Sequence, residues 1–421
     1  MDRWPPPRSE SNSNALRGLR LRALTVSLSA MDRSEQFPIG ASVTVEELTE
    51  SPYELLARLR EHEPVSWVPA LNAWWVTPRD LALEAMSDAE TFTVDDDRFT
   101  TARILGTSML NLDGPEHKRH RTAFVPPFRP KFLREELEER IMASATRLWN
   151  NTITGDGETR TGIAGPLAVE TIVDLMGLDV ETEEVLSWYS AFGQAITALT
   201  VGGEVPGEVD ETLTRLKAYV SKAMEDGENG FVTNLVNDKI LHIEEIPAAV
   251  AVILFGAIET SEAMTVNMFW HLFTHPETLE RVRNDRSIIP DIVNESLRLE
   301  PAASWVDRYT TREVELGPVT IPKGDLVSIS LLGANRDPDV FPEPDRFDID
   351  RPNLAQHLTF VKGPHTCLGL HVARSETSAA LVAALDWEAE SGKPLVLDEE
   401  QTTTPHGLIF RRVQNVTLRE S

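Results

Sequence analysis

The sequence is poor in cysteine, since Cys367 is the only one among 421 residues. A single cysteine excludes an intrachain disulfide, and the lack of disulfides is typical of proteins that work in a reducing compartment. We therefore expect a cytoplasmic protein whose fold is stabilised by its core alone. A chain of this length can bury an extensive core and can enclose a cofactor.

Positive charge and long apolar runs are scarce as well. The chain carries 40 Lys and Arg against 67 Asp and Glu, which gives a formal net charge of -27. This balance argues against nucleic acid and against an anionic membrane surface as partners. The most apolar segment, residues 248–258, is followed at once by Glu259 and then by Glu262. No uninterrupted run reaches membrane-spanning length, so we expect no membrane anchor.

The first 36 residues differ from the rest of the chain. They contain three consecutive prolines, a Ser/Asn-rich piece and a short apolar part at 23–30 that is full of Ser and Thr. A signal peptide needs a longer apolar core. We predict that residues 1–36 are a disordered leader, or an extension upstream of a start at Met31. No Gly/Ser-rich linker interrupts residues 37–421, which we predict to form one large domain.

The functional interpretation rests on residues 360–376, the stretch around the cysteine. Gly363 and Pro364 mark a loop before Cys367, and apolar residues at helical spacing follow it. Unpaired N–H groups and the dipole at a helix start favour a thiolate, and Gly369 lets a flat group approach the backbone. A thiolate held in this way is a good axial ligand for haem iron. The alternative is a buried, inert cysteine.

This stretch resembles the haem-binding signature of the cytochrome P450 superfamily. The sequence has F-x-x-G-x-H-x-C-x-G, followed by A-R-x-E, with Glu376 as the last residue. The resemblance implies a mainly α fold with small β-sheets, forming a triangular single domain around a buried haem b. It also implies that Cys367 is the iron ligand and that Gly369 lies against the haem.

Further residues match the family's positions for binding the haem propionates. His117 and Arg121 are spaced i, i+4, so they share one face of a helix that Asp113 can cap. The segment resembles the family's D-x-P-x-H-x-x-x-R element, whose His and Arg bind propionates. By the same resemblance, Arg308 on a strand beside the haem and His365 in the loop are further propionate ligands.

A long apolar helix over residues 243–273 contains Gly256-Ala257-Ile258-Glu259-Thr260. It resembles the family's oxygen-activating element A/G-G-x-D/E-T. By that resemblance, Thr260 hydrogen-bonds dioxygen or an ordered water, and Glu259 relays protons from solvent. Ala257 stands where the family usually has a second glycine, so we expect the local widening of this helix to be smaller than usual.

Other segments carry structural motifs of the family. Glu295 and Arg298 form E-x-x-R, and Arg346 matches the arginine of P-x-R-F, which completes a buried Glu-Arg-Arg network in the family. The expected substrate pocket combines an irregular stretch over 92–110 with residues near the haem and the tip of the C-terminal hairpin. Its candidate lining residues are Phe99, Leu105, Ala257, Trp305, Val306 and Leu408.

A group of basic residues stands out in this acidic chain. It indicates either a docking surface for an acidic ferredoxin or an ordinary solvated helix face. The group comprises Lys118, Arg119, Arg129, Lys131 and Arg134. The family resemblance implies electrons from NAD(P)H through a ferredoxin and its reductase.

The function implied is monooxygenation, in which one atom of O2 is inserted into a small hydrophobic substrate by hydroxylation or epoxidation. Two alternatives remain: a haem-thiolate peroxygenase, isomerase or dehydratase without external electrons, and a haem-binding sensor that does not turn over. The first often lacks the acid–alcohol pair or carries an arginine on the oxygen-side helix, whereas this sequence keeps Glu259-Thr260 and has no such arginine there.

Overall fold

The computed structural model describes residues 33–225 and 230–421. Most of the predicted leader lies outside these residues. Its last part, however, belongs to the fold, because residues 33–36 form a helical turn. The guanidinium of Arg33 lies 4.6 Å from the ring centroid of Trp67 and pairs with Asp325 at 2.9 Å. The predicted boundary at residue 36 is therefore too late.

Helices dominate the structure, as predicted from the family resemblance. In chain order they are α1 Pro38–Ser42, α2 Val45–Glu50, α3 Tyr53–His62, α4 Arg79–Ser87, α5 Thr100–Leu105, α6 Gly114–Phe124, α7 Pro130–Phe132, α8 Glu138–Thr154, α9 Gly165–Met176, α10 Thr182–Thr200, α11 Glu208–Glu225, α12 Phe231–Asp238, α13 Ile246–Phe273, α14 Pro276–Asn284, α15 Ile289–Leu299, α16 Leu331–Ala334 and α17 Leu370–Ser391. Two π-helical turns, Leu133–Leu137 and Arg160–Ala164, precede α8 and α9. The stretch predicted to be irregular, 92–110, contains α5.

The strands are short and form small sheets. They are β1 Val65–Val68, β2 Ala73–Val76, β3 Phe92–Thr93, β4 Trp305–Thr310, β5 Val314–Leu316, β6 Val319–Ile321, β7 Leu326–Ser330, β8 Leu395–Leu397, β9 Pro405–His406, β10 Arg412–Val413 and β11 Leu418–Glu420. The largest sheet has the order β1-β2-β7-β4-β3, in which only β2 and β7 pair in parallel. The β1–β2 pair is the hairpin that the sequence predicts there. The pairs β5–β6, β8–β11 and β9–β10 stand apart.

The centre of the molecule is α13, which packs against α9, α10, α15 and α17. It is long and apolar enough to cross a membrane by length and composition, although Glu259 and Glu262 interrupt its apolar run. However, 72% of its most apolar window is buried inside the protein. Neighbouring helices cover this helix, which explains why its residues are apolar on nearly all sides. The helix begins at Ile246 rather than at residue 243, with Glu245 at its N-cap.

A buried ion network joins α15 to the segment that leads to Cys367. Glu295 and Arg298 are fully buried and pair at 2.7 Å. The third member is Arg351, whose Nε lies 3.0 Å from Glu295 Oε1. The prediction of Arg346 for this role is wrong, because its side chain is 63% exposed and contacts Glu343. Arg346 contributes only its backbone carbonyl, which accepts hydrogen bonds from Arg298 and Arg351.

We expect Arg351→Ala to lower the free energy of unfolding by about 3–5 kcal/mol, because it leaves a buried carboxylate with one partner fewer. Arg346→Ala is the matched control and should change it by less than about 0.5 kcal/mol. Urea unfolding of the haem-loaded proteins, followed by circular dichroism, measures both values. Equal effects of the two substitutions would show that Arg351 is not the third member of the network.

Glu376 is a second buried acid, located on α17 beneath α13. Burial raises its pKa to about 8, although the hydroxyls of Ser261 and Thr171 oppose the shift. A carboxyl group with a raised folded-state pKa stabilises the fold fully below its ordinary pKa, and this contribution is lost as the pH rises toward 8.

We therefore expect wild-type stability to fall between about pH 4.5 and pH 8, by an amount on the order of a few kcal/mol. Glu376→Gln should flatten this part of the profile, since glutamine does not titrate. Glu390→Gln, at an exposed position on the same helix, should retain the wild-type profile. Apparent melting temperatures across this pH range test the prediction, which fails if Glu376→Gln keeps the wild-type slope.

Candidate functional site

Cys367 lies at the end of the loop that precedes α17. Its backbone N–H donates to the carbonyl of Phe360 at 2.9 Å, which closes the loop. The N–H groups of Gly369 and Leu370 face the sulfur and lower the pKa of the thiol, as expected at a helix start. Burial is the larger effect and raises the pKa overall. Thiolate formation at this site therefore requires more than the helix start, and a bound metal ion would favour it by displacing the thiol proton.

The predicted propionate ligands come from three separate segments and lie near one another. The rings of His117 on α6 and His365 in the cysteine loop have centroids 4.3 Å apart. Arg121 donates to the carbonyl of Thr366 at 2.6 Å, next to Cys367. Arg308 on β4 is close enough to His365 for its charge to lower the pKa of that imidazole, after the larger effect of burial.

The N–H donors of these side chains have few hydrogen-bond acceptors within the protein. His117 Nε2 is buried without a hydrogen-bond partner, and burial together with nearby positive charge lowers the pKa of His117 to about 4. Arg308 is also buried, which lowers its pKa to about 10, and the hydrogen bond found for its guanidinium goes to the carbonyl of Asp307. Buried donors of this kind fit an anionic group with several oxygen acceptors.

Asp113 stands at the N-cap of α6, but its side chain does not cap the helix as the sequence suggested. Its carboxylate instead accepts hydrogen bonds from Thr93 Oγ1 at 2.6 Å and from the N–H of Val94 at 2.9 Å, and contacts His365 Nε2 at 2.8 Å. Burial opposes ionisation of Asp113, but these contacts prevail and lower its pKa to about 2. Asp113 therefore orients His365.

The oxygen-side segment lies in the middle of α13, which is α-helical throughout. The hydroxyl of Thr260 donates to the carbonyl of Gly256 at 2.6 Å. Gly256 is exposed, although most residues around it in α13 are buried, and no atom outside its own helix lies within 4 Å of the position that a Cβ would take. An open space therefore borders this helix at Gly256.

Glu259 has a partner that the sequence analysis missed. Its carboxylate is bonded to the guanidinium of Arg412 on β10. The two residues are far apart in the chain, and no local pattern marks the pair. Arg412 comes from the C-terminal segment, which reaches the middle of α13.

Helices α13 and α17 contact each other where Thr265 Oγ1 and Thr377 Oγ1 lie 3.2 Å apart. Thr260 precedes Thr265 on α13, and Cys367 precedes α17. A Cβ at Gly369 would meet only the ring of Phe128, at the van der Waals distance of 4.0 Å. A flat group with a thiolate ligand and carboxylate substituents fits these features.

The predicted pocket residues divide into two groups. Phe99, Ala257 and Val306 keep partly exposed surface. Leu105 is 0% exposed, whereas Trp305 and Leu408 are each 5% exposed, so these three side chains offer a pocket little or no surface. The ring of Trp305, for example, packs edge-on against Trp75 at 5.0 Å.

Phe410 is a better candidate than Leu408 at the C-terminal hairpin. It is partly exposed, and its ring lies 5.5 Å from that of Phe255 on α13. The sequence analysis named this hairpin but could not tell which of its side chains points toward the helix.

Comparison with known proteins agrees with this geometry. The family model for cytochrome P450 matches residues 209–387. The chain is 30% identical over 359 residues to cytochrome P450 107B1 of Saccharopolyspora erythraea, covering 78% of this chain and 86% of the relative. It is 28% identical to the cyclomarin C epoxidase CymV of Salinispora arenicola, over 80% of this chain and 88% of the relative.

A solved structure, that of the hydroxylase HmtN involved in himastatin biosynthesis, superposes with a TM-score of 0.75. The two chains are 26% identical, and the match covers 89% of this chain and 98% of HmtN. Both the fold and the sequence relationship extend over nearly the whole of these proteins. The chain therefore belongs to the cytochrome P450 family of monooxygenases, whose members bind haem b.

Proposed function

We propose that this protein is a haem-thiolate monooxygenase in which the thiolate of Cys367 would bind the iron. His117, Arg121, Arg308 and His365 would hold the propionates, and Gly369 would allow the macrocycle to approach the backbone. The observation that carries this proposal is the set of buried, incompletely paired donors beside the single cysteine. Two carboxylates from a haem supply the acceptors that these donors lack.

Glu259 and Thr260 handle protons on the opposite side. When bound, haem supplies the redox chemistry by which dioxygen is activated and split. The chain must then deliver protons to the reacting oxygen. The hydroxyl of Thr260 would serve as the donor from α13, and the carboxylate of Glu259 would exchange protons with solvent. Because Glu259 is paired with Arg412, its proton transfer depends on that contact.

The substrate is proposed to be a hydrophobic secondary metabolite that is hydroxylated or epoxidised. The candidate lining residues that keep partly exposed surface are apolar: Phe99, Ala257, Val306 and Phe410. Such a lining favours a ligand that buries apolar surface. The relatives CymV and HmtN, an epoxidase and a hydroxylase, support this class of reaction.

We propose that electrons come from NAD(P)H through a ferredoxin and its reductase, in the cytoplasm. Lys118, Arg129, Lys131 and Arg134 are exposed. Arg134 also borders a groove together with His371 and Arg374 of α17, the helix that follows Cys367. The basic surface therefore lies on the thiolate side, where an acidic ferredoxin can approach. Arg119 is a poorer candidate for docking, because it pairs with Glu116 and Glu245.

The axial ligand is tested by the absorption spectrum of the reduced, carbon-monoxide-bound protein. We expect a strongly red-shifted Soret band in the wild type, because a thiolate donates electron density to the iron. Cys367→Ala should lose this band. A band typical of an imidazole-ligated haem in the wild type would contradict the proposal. Thr260→Ala is the control, since its side chain is placed away from the thiolate and it should keep the red-shifted band.

The docking surface is tested by reversing its charge. We expect Arg129→Glu/Arg134→Glu to slow reduction by a plant-type ferredoxin roughly tenfold at low salt, because electrostatic steering is lost. The rate is followed by formation of the carbon monoxide complex after mixing with reduced ferredoxin. Arg215→Glu/Lys217→Glu, at two exposed positions on α11, is the control and makes the same change in net charge. The docking site is refuted if both variants slow reduction equally, or if the difference persists undiminished at high salt.

A further inference from the structure

A group of histidine and glutamate side chains lies where α6 meets the start of α13. Glu116 and His120 are spaced i, i+4 on α6, so they lie on one face of that helix. Glu245 stands at the N-cap of α13. One ligand atom from each of these residues lies within 4.8 Å of the other two. The three side chains can therefore surround one small cation.

A cationic group already lies among them, namely the guanidinium of Arg119. Its Nη2 donates to Glu116 Oε2 at 2.6 Å and to Glu245 Oε1 at 2.7 Å. Its Nη1 donates to Glu245 Oε2 at 2.8 Å and to the carbonyl of Ile240 at 3.1 Å. His120 Nε2 lies 3.3 Å from Nη2. Three carboxylate oxygens, one carbonyl and one ring nitrogen thus face a single positive charge, and such a donor set also suits a metal ion.

His120 is the member of this group that points most clearly to a ligand. It is 1% exposed, and its Nδ1 makes no hydrogen bond within the part of the chain that the structure describes. Its Nε2 faces the carboxylates and lies 3.4 Å from Glu245 Oε1. In a tetrahedral zinc site with bonds of about 2.0–2.2 Å, neighbouring ligand atoms lie about 3.3–3.5 Å apart. Two of the ligand atoms are therefore already at the spacing that zinc requires.

The turn that carries Glu245 is held by its own hydrogen bonds. The N–H of His242 donates to Glu245 Oε2 at 2.8 Å, and the N–H of Glu245 donates to the carbonyl of His242 at 3.0 Å. Leu241, the residue before His242, is buried in the core. Glu245 is thus a preoriented ligand, whereas the exposed side chain of Glu116 can adjust its position by a change of rotamer.

The guanidinium of Arg119 can be displaced from this position. Its side chain is 25% exposed, so it can turn into solvent, where a long cationic side chain is well hydrated. One guanidinium leaves one of the two carboxylate charges unbalanced, whereas a divalent ion balances both. Displacement also frees the carbonyl of Ile240 to act as a further oxygen ligand.

We propose that Glu116, His120 and Glu245 form a binding site for a divalent transition metal ion, with Zn2+ as the expected ion, and that Arg119 fills this site in the absence of metal. An imidazole with two carboxylates favours zinc over Mg2+ and Ca2+, which prefer oxygen ligands alone. The bound ion would join α6 to the turn before α13, and so would stabilise their contact against heating.

The test measures zinc binding by the haem-loaded protein, by equilibrium dialysis with excess Mg2+ present. Inductively coupled plasma mass spectrometry counts bound zinc against haem iron. We expect one zinc ion per chain in the wild type. Glu116→Gln should weaken binding about tenfold or more, because an anionic ligand is lost. Arg119→Gln should tighten binding, because zinc then has no bound cation to displace.

Two control variants make the same charge changes at an ion pair elsewhere. Glu211 and Arg215 pair at 2.9 Å on α11, and both side chains are exposed. Glu211→Gln and Arg215→Gln should keep the wild-type affinity. They separate a defined site from the general attraction of zinc to an acidic protein. X-ray absorption at the zinc edge should show one imidazole nitrogen bound to the ion.

The inference is overturned if Glu116→Gln binds zinc as tightly as Glu211→Gln, if Arg119→Gln binds it no more tightly than Arg215→Gln, or if no imidazole is bound. Thermal unfolding is a second measurement. Zinc should raise the melting temperature of the wild type by a few degrees more than that of Glu116→Gln. These measurements do not depend on turnover, so loss of the red-shifted carbon monoxide band would contradict the proposed function alone.

Discussion

The position of the cysteine loop depends on one carboxylate that is buried in the protein interior. Glu295 is fully buried and is held by Arg298 and Arg351, and its Oε1 also accepts the N–H of Asp348 at 2.9 Å. Arg298 donates further hydrogen bonds to the carbonyls of Asn335 and Pro344. One carboxylate thereby fixes several turns of otherwise irregular chain, because each buried guanidinium requires all its acceptors to stay in place.

The same constraint extends to the cysteine loop. Asn335 accepts the N–H of Leu358 at 2.6 Å, and Thr359 Oγ1 donates to the carbonyl of Leu297 at 2.7 Å. The next turn of chain then presents the carbonyl of Phe360 to the N–H of Cys367. The sulfur is positioned by a chain of hydrogen bonds that begins at Glu295, although no member of the network touches it.

Sequence reasoning located the residues that lie within a continuous motif and was less reliable where an interaction joins distant segments. Helix α13, the β1–β2 hairpin and the position of Cys367 before α17 follow from periodicity and turn residues.

Arg346 and Arg351 both follow P-E-P-D within a short loop, and only the path of that loop decides which guanidinium is buried. Likewise, Leu105 and Trp305 are apolar residues near the site in sequence, but packing closed them into the core. The pair Arg412–Glu259 depends on how the C-terminal segment crosses α13, which no local pattern encodes.

Although the protein has a net charge of -27, it gathers hydrogen-bond donors at one place. His117, Arg121 and Arg308 are all at least partly buried. Asp113 is a nearby carboxylate for His117 and Arg308, and it is already engaged by His365. Burying donors without acceptors costs free energy, so this part of the fold is stabilised by whatever anion completes it. A ligand that brings two carboxylates provides that stabilisation and is in turn oriented by it. On the proposed function, we therefore expect haem binding and local folding to be coupled through these side chains.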